Sequence, residues 1–238
     1  MGSQISPLLV KRRITLKSLS GSVIGIDALN AIYQFLAIIR LRDGTPLSGP
    51  SGEVTSHLSG LFYRTINLLE NGIKPVYVFD GKPPSFKAKT LKEREEVKRK
   101  FEKEWKEALA RGDIVAAFKK SVMTARVNAR VIEDSKKLLT LMGIPLVQAP
   151  SEAEAQLAYM VQKGDCYAAA SQDYDSLLFG TPRLVLNLSI AGKKYYPKRG
   201  VVEQLVPELV ELRWVLKAHG ITREQLIDIA MLVGTDYN

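Results

Sequence analysis

Along the chain, short apolar runs alternate with longer stretches whose apolar residues recur every three or four positions, the pattern of buried strands separated by amphipathic helices. SVIGID (22–27), KPVYVFD (74–80), IPLVQAP (144–150) and DCYAAAS (165–171) read as buried strands. Between them, ALNAIYQFLAIIRL sets Leu29, Ile32, Tyr33, Leu36 and Ile39 on one helical face. SHLSGLFYRTINLLENG predicts a second helix with Thr55 or Ser56 as its cap and Gly72 as its stop. Residues 1–20 read as an irregular lead with a basic cluster at Lys11, Arg12 and Arg13, and residues 42–53 as a loop rich in Gly, Pro and Ser. Toward the end, PRLVLNLSI, KKYYP and GVVEQL predict further strands or a hairpin. PELVELRWVLKAHG predicts a helix opened by Pro207 and closed by Gly220, and Thr222 with Gln225 makes a capping box on the last helix. This order predicts an α/β fold, a mostly parallel central sheet flanked by helices, in a single domain over residues 1–238.

One stretch departs from the alternation. From Phe86 to Arg111 charged residues dominate, and Leu91, Phe101, Trp105 and Leu109 are the sparse apolar positions. Such a run predicts a solvated helix laced with i,i+4 ion pairs. A second helix is expected from Val115 to Arg130, merging with IEDSKKLLTLMG. With little apolar surface to bury, this insertion is expected to stand off the main body and to move.

Composition narrows the chemistry. Hydrophobic residues at 46% and charged residues at 25% exclude global disorder, and a formal net charge of +9 points to a polyanionic partner. A lone cysteine, Cys166, excludes an internal disulfide framework and a cysteine zinc cluster. His57 and His219 lie too far apart in sequence to suggest a histidine site, so a metal here would be held by oxygen, which favours Mg²⁺ or Mn²⁺. No apolar run approaches the ~20 residues of a membrane span, and no membrane partner is expected. MGSQIS fits the N-myristoylation pattern at Gly2, without a second membrane signal to support it.

Acids recur at the ends of the apolar runs. Asp27 and Asp80 close two strands, Glu152 and Glu154 open the helix after the third, Asp173 and Asp175 follow the fourth, and Asp236 follows the last helix. Parallel sheets gather functional groups at the carboxyl ends of their strands. Carboxylates crowded there raise one another's pKa unless cations intervene. Glu154 has a second reading, since Ser151 and Glu154 form the S-x-x-E of a capping box; capping leaves Glu152 unexplained. Two Mg²⁺ ions would offset four of the seven negative charges, so an anionic substrate also needs basic groups. Lys87 and Arg94, seven residues apart and on one helical face, supply them. The set suits two-metal phosphodiester hydrolysis. Two alternatives are DNA binding without cleavage and an aspartate-nucleophile phosphatase suggested by D-Y-D-S. In the latter the first aspartate follows its strand directly, whereas here Ser171 and Gln172 intervene.

IDALNAIYQFL, SHLSGLFYRTINLLENGIKPVYVFDGKPP, LMGIPLVQAPSEAEAQ, SQDYDSLLFG and LVGTDY closely resemble the flap endonucleases, the structure-specific DNA nucleases of replication and repair, in their archaeal and eukaryotic forms. The resemblance covers nearly the whole chain. It implies Mg²⁺-dependent 5′ flap endonuclease and 5′-3′ exonuclease activity on flapped or branched DNA, with two ions and Mn²⁺ able to substitute. It implies that Asp27, Asp80, Glu152, Glu154, Asp173, Asp175 and Asp236 are the metal-site acids and that Lys87 and Arg94 contact the scissile phosphate. Residues 86–130 become a helical arch that the 5′ strand passes through. Tyr33 matches an aromatic on which a displaced base stacks, although core packing at helical spacing explains it equally. Gly2 matches an N-terminal glycine beside the site, and Arg40, near a helix C-terminus that favours cations, is a third expected DNA contact. Family members continue into a helix-hairpin-helix segment that binds duplex DNA and a tail that engages the sliding clamp, whereas this sequence stops at Asn238. The expectation is a monomeric catalytic core, impaired in duplex and clamp binding, working inside the cell: cytoplasmic in an archaeon, nuclear in a eukaryote.

Overall fold

A computed structural model describes residues 3–82, 84, 87–188, 192–196 and 201–235. The strands in chain order are β1 (Lys11–Arg13), β2 (Val23–Asp27), β3 (Lys74–Phe79), β4 (Leu146–Gln148), β5 (Ala168–Ala170), β6 (Arg183–Leu186), β7 (Gly192–Tyr196), β8 (Val201–Leu205) and β9 (Glu208–Glu211). The helices are α1 (Ala28–Ile38), α2 (Ser56–Glu70), α3 (Ala88–Ala110), α4 (Ile114–Ser121), α5 (Ala129–Leu141), α6 (Ala153–Lys163), α7 (Asp175–Leu178), α8 (Leu212–His219) and α9 (Arg223–Val233). Seven strands form one sheet in the order β1-β9-β6-β5-β2-β3-β4, and β7 and β8 pair as a separate antiparallel hairpin. From β6 to β4 every pairing is parallel, and β9 and β1 close one edge antiparallel.

The period-two alternation of the strands divides the core between the two faces of the sheet. Ile24, Ile26, Tyr77, Phe79, Ala168 and Ala170 face α1, α2 and α5, while Val78, Ala169, Leu184 and Val210 face Leu157, Leu177, Val215 and Leu226. Gly25 points to the second face, where a Cβ would stand 2.5 Å from Leu157 Cδ2 and 3.3 Å from Cys166 Sγ. The absent side chain is what lets α6 lie flat on β2.

Four expectations need correction. PELVE is not the start of a helix: residues 208–211 form β9, with Leu209 in one core and Val210 in the other, and α8 begins only at Leu212. The basic cluster Lys11–Arg13 is a strand paired to β9 rather than an irregular lead. The long helix expected from Val115 breaks after Ser121 into a 3₁₀ turn, and α5 restarts at Ala129 behind Asn128, whose side chain caps the Val131 amide at 2.9 Å. The root of the insertion is also fastened to the body: Trp105 Nε1 donates to the Asp43 carbonyl at 3.0 Å, and Ala117 is fully buried. Arg126 adds ion pairs to Glu95 at 3.1 Å and to Glu102 at 2.8 Å across the insertion itself. Among the described residues no helix is long and apolar enough to cross a membrane.

Candidate active site

Four adjacent parallel strands, in the spatial order β5-β2-β3-β4, deliver acids at the same edge of the sheet. Asp27 ends β2 and at once becomes the N-cap of α1, its Oδ1 accepting from the Asn30 amide at 2.9 Å. No loop separates strand from helix, so the carboxylate is fixed to the sheet. Asp80 follows β3 and accepts from the Ala153 amide at 2.6 Å, so one strand's acid caps the helix that follows another strand. That contact needs the chain to pass close: at Gly81 a Cβ would lie 2.3 Å from the Ala149 carbonyl, and the Gly81 amide donates to the Ser151 carbonyl at 2.6 Å. Glu152 is the backbone N-cap of α6 and Glu154 lies in its first turn. The Ser151–Glu154 capping box is not formed, because the helix starts one residue later than that reading requires and the Glu152 side chain makes no cap hydrogen bond. Thr222 and Gln225 do form theirs.

After β5, the Asp173 amide donates to Ser171 Oγ at 3.1 Å and the Asp175 amide to Asp173 Oδ1 at 3.2 Å. Ser171 Oγ in turn lies 3.3 Å from Asp27 Oδ2, which ties the loop to the centre of the group. From the N-terminal end of the chain, the Ser3 amide donates to Asp175 Oδ1 at 2.7 Å. Lys87 forms an ion pair with Glu152, both side chains largely shielded from solvent. Six acids, Asp27, Asp80, Glu152, Glu154, Asp173 and Asp175, therefore form one electrostatically connected group, while Asp236 and Gly2 lie outside the described residues.

Crowding is visible in proton affinities. Burial, then the charges of Asp80 and Asp173, push Asp27 up to about 7 against the pull of the Asn30 amide and Ser171. Burial and the charges of Asp27, Asp173 and Asp175 hold Glu154 well above the usual carboxylate range. Burial and the charge of Glu152 raise Asp80, against the pull of the Ala153 amide and Lys87. Among the described residues no three carboxylate, imidazole or thiolate groups already form a ligand set for one ion. Amide hydrogens of Asn30, Ala153 and Ser3 and the Lys87 ammonium each engage a carboxylate oxygen of the group. The donors are nonetheless all hard oxygens, and a divalent ion would relieve the repulsion that raises Asp27 and Glu154.

The expected DNA contacts are placed less simply. Tyr33 packs partly against the α1–α2–α5 core, and its ring centre is 5.7 Å from the Lys98 ammonium on α3. It thus serves the core and borders the insertion at once. Arg94 lies on α3 one residue before Glu95, which pairs with Arg126. Arg40 donates from Nε to the Leu36 carbonyl and from Nη1 to the Gly44 carbonyl, both at 2.9 Å, so part of its fork staples the end of α1 to the loop that follows. A cavity of about 370 Å³ at the root of the insertion, lined by Arg40, Glu53, Trp105 and Arg126, lies away from the acids and mixes charges of both signs. The Ser3 contact to Asp175 and the Lys87–Glu152 pair carry no signal in local sequence pattern.

Models of the XPG N-terminal domain and the XPG I-region match residues 2–101 and 143–236. The chain is 63% identical to flap endonuclease 1 of Pyrococcus abyssi over all its 238 residues, which span 69% of that protein. The solved flap endonuclease-1 from Methanococcus jannaschii superposes with a TM-score of 0.75 at 44% identity, covering 100% of this chain and 71% of that one. The catalytic core of Rad2 in complex with DNA substrate matches with a TM-score of 0.69 at 29% identity, over 100% of this chain and 63% of that one. With two family models covering most of its length and relatives this similar over its whole extent, the chain belongs to the flap endonucleases, metal-dependent structure-specific nucleases.

Proposed function

We propose that this chain cuts 5′ flaps in DNA by metal-assisted phosphodiester hydrolysis, with Asp27, Asp80, Glu152, Glu154, Asp173, Asp175 and Asp236 as the carboxylate set. The observation that carries the reading is the convergence of acids from four parallel strand ends into one group, where burial and the neighbouring charges raise Asp27 to about 7. When bound, two Mg²⁺ ions would supply charge neutralisation and acidify the attacking water.

The protein's own groups bind and orient. Asp27 and Asp80 fix the edge of the sheet to the crevice, and Glu152 holds Lys87 at its rim until a phosphate competes for the ammonium. Lys87, at the N-cap of α3, and Arg94, two turns further on, would then face the developing negative charge on the scissile phosphate. The insertion of residues 86–130 acts as the arch around the 5′ strand, with Tyr33 beneath α3 as a stacking platform and Gly2 and Arg40 as further DNA contacts.

A labelled double-flap substrate, incubated with and without Mg²⁺, tests the reading. Cleavage is expected only with the metal, and Asp175→Asn or Lys87→Ala should slow it by at least about a hundredfold. Cutting by Asp175→Asn at the unaltered rate would refute the carboxylate set, and salt-sensitive DNA binding without cleavage at any Mg²⁺ or Mn²⁺ concentration would make the chain a binding protein instead.

A further inference from the structure

Tyr174 separates Asp173 from Asp175, and its hydroxyl is engaged by the N-terminal segment. It lies 3.3 Å from Ser6 Oγ and 3.2 Å from Lys11 Nζ, and those two atoms are 3.1 Å apart. The three polar groups form a closed triangle, and the Tyr174 side chain packs against the same core as Leu8 and Leu9. Three residues ahead of Ser6, the buried Ser3 gives its amide hydrogen to Asp175. The segment thus grips one short loop twice, at a carboxylate and at the intervening tyrosine.

The segment has anchors of its own. The Leu8 carbonyl meets His219 Nε2 on α8 at 2.9 Å, and residues 11–13 pair with β9. In the 173–175 loop the Asp173 and Asp175 amides donate to Ser171 Oγ and Asp173 Oδ1, both at more than 3 Å, and the Tyr174 carbonyl accepts from the Leu177 amide at 2.9 Å where α7 begins. These bonds hold the backbone, while the Asp173 and Asp175 carboxylates repel each other and Glu154, so contacts from outside the loop bear on their spacing.

We propose that residues 3–11 are a brace that sets the positions of Asp173 and Asp175 for metal binding, and that Tyr174 is the positioning residue through which Ser6 and Lys11 act. This rests on the reading of those acids as metal ligands. Removing the Tyr174 hydroxyl frees the loop, so a bound ion must order it and binds more weakly. Groups that orient metal ligands from behind typically govern affinity by 10-fold or more.

The test is calorimetric titration of Mn²⁺ into the DNA-free protein, comparing the unaltered chain with Tyr174→Phe, Lys11→Met, Ser6→Ala and the double variant Ser6→Ala/Tyr174→Phe. Tyr174→Phe should weaken binding by about tenfold, Lys11→Met should weaken it in the same direction, and the double variant should bind no worse than Tyr174→Phe alone. In cleavage assays the Mg²⁺ requirement should rise by a similar factor, with KM for DNA unchanged and kcat restored at high Mg²⁺. Unchanged Mn²⁺ affinity in both Tyr174→Phe and the surface variant Lys11→Met would overturn the brace while leaving the metal site standing. Failure of the unaltered chain to bind Mn²⁺ at all would overturn the metal-site reading, and the brace with it.

Discussion

Asp27 ends a strand, caps a helix and sits at the centre of the acid group. Its carboxyl holds a proton up to about 7 in the folded chain against an ordinary 3.8, so between those values the folded state binds more protons than the unfolded one. The associated stability is therefore full below about 4 and is lost as pH rises through about 7, and the raised Asp80 and Glu154 act in the same direction. Scanning calorimetry on metal-free protein should show the melting temperature falling by several degrees between about pH 5 and pH 8, with Mg²⁺ reversing the fall and Asp27→Asn flattening it. A metal-free melting temperature that rises over that interval would contradict the crowding. At this scale the sequence was informative where a residue's placement follows from the end of a strand, as for Asp27, Asp80 and Asp173. It was silent where a role depends on a partner far away, as with Ser3 and Asp175, 172 positions apart, or Lys11 and Tyr174, 163 apart.

Among the elements, the buried parallel strands were legible because both of their faces are apolar, and β9 was not, because the helical pattern of the residues after Glu211 extends smoothly backward over PELVE. What makes 208–211 a strand is pairing with β6 on one side and β1 on the other, which no local window contains. The insertion was misjudged for a related reason: its few apolar residues are concentrated at its root. Trp105 contributes a hydrogen bond to Asp43 and borders the cavity there, and a Cβ on Gly44 would strike Ser121 at 2.6 Å, so the loop after α1 and the end of α4 fit closely. Trp105→Ala should cost about 1–3 kcal/mol and, in hydrogen-exchange mass spectrometry, speed exchange in residues 43–45 and 114–124 while leaving β2 and β3 protected. Equal protection in the variant would mean that the insertion stands by itself.

The molecule as a whole carries a net charge of +9, while Asp27, Asp80, Glu152, Glu154, Asp173 and Asp175 meet in one crevice. DNA should be gathered by the basic exterior and admitted to the acids only when cations screen them. Affinity for a flapped substrate, measured by fluorescence anisotropy in Ca²⁺ to prevent cutting, should drop by at least about tenfold between roughly 50 mM and 200 mM salt. Salt-independent affinity would exclude a phosphate-dominated interface.

The pairing of β1 with β9 joins residue 11 to residue 210. During translation, the opening residues must wait, undocked, until about two hundred others have left the ribosome. If their grip on Asp175 sets the ligand spacing, the nascent chain folds much of its sheet before it can hold its ions well, and cutting power waits on the return of its own first residues.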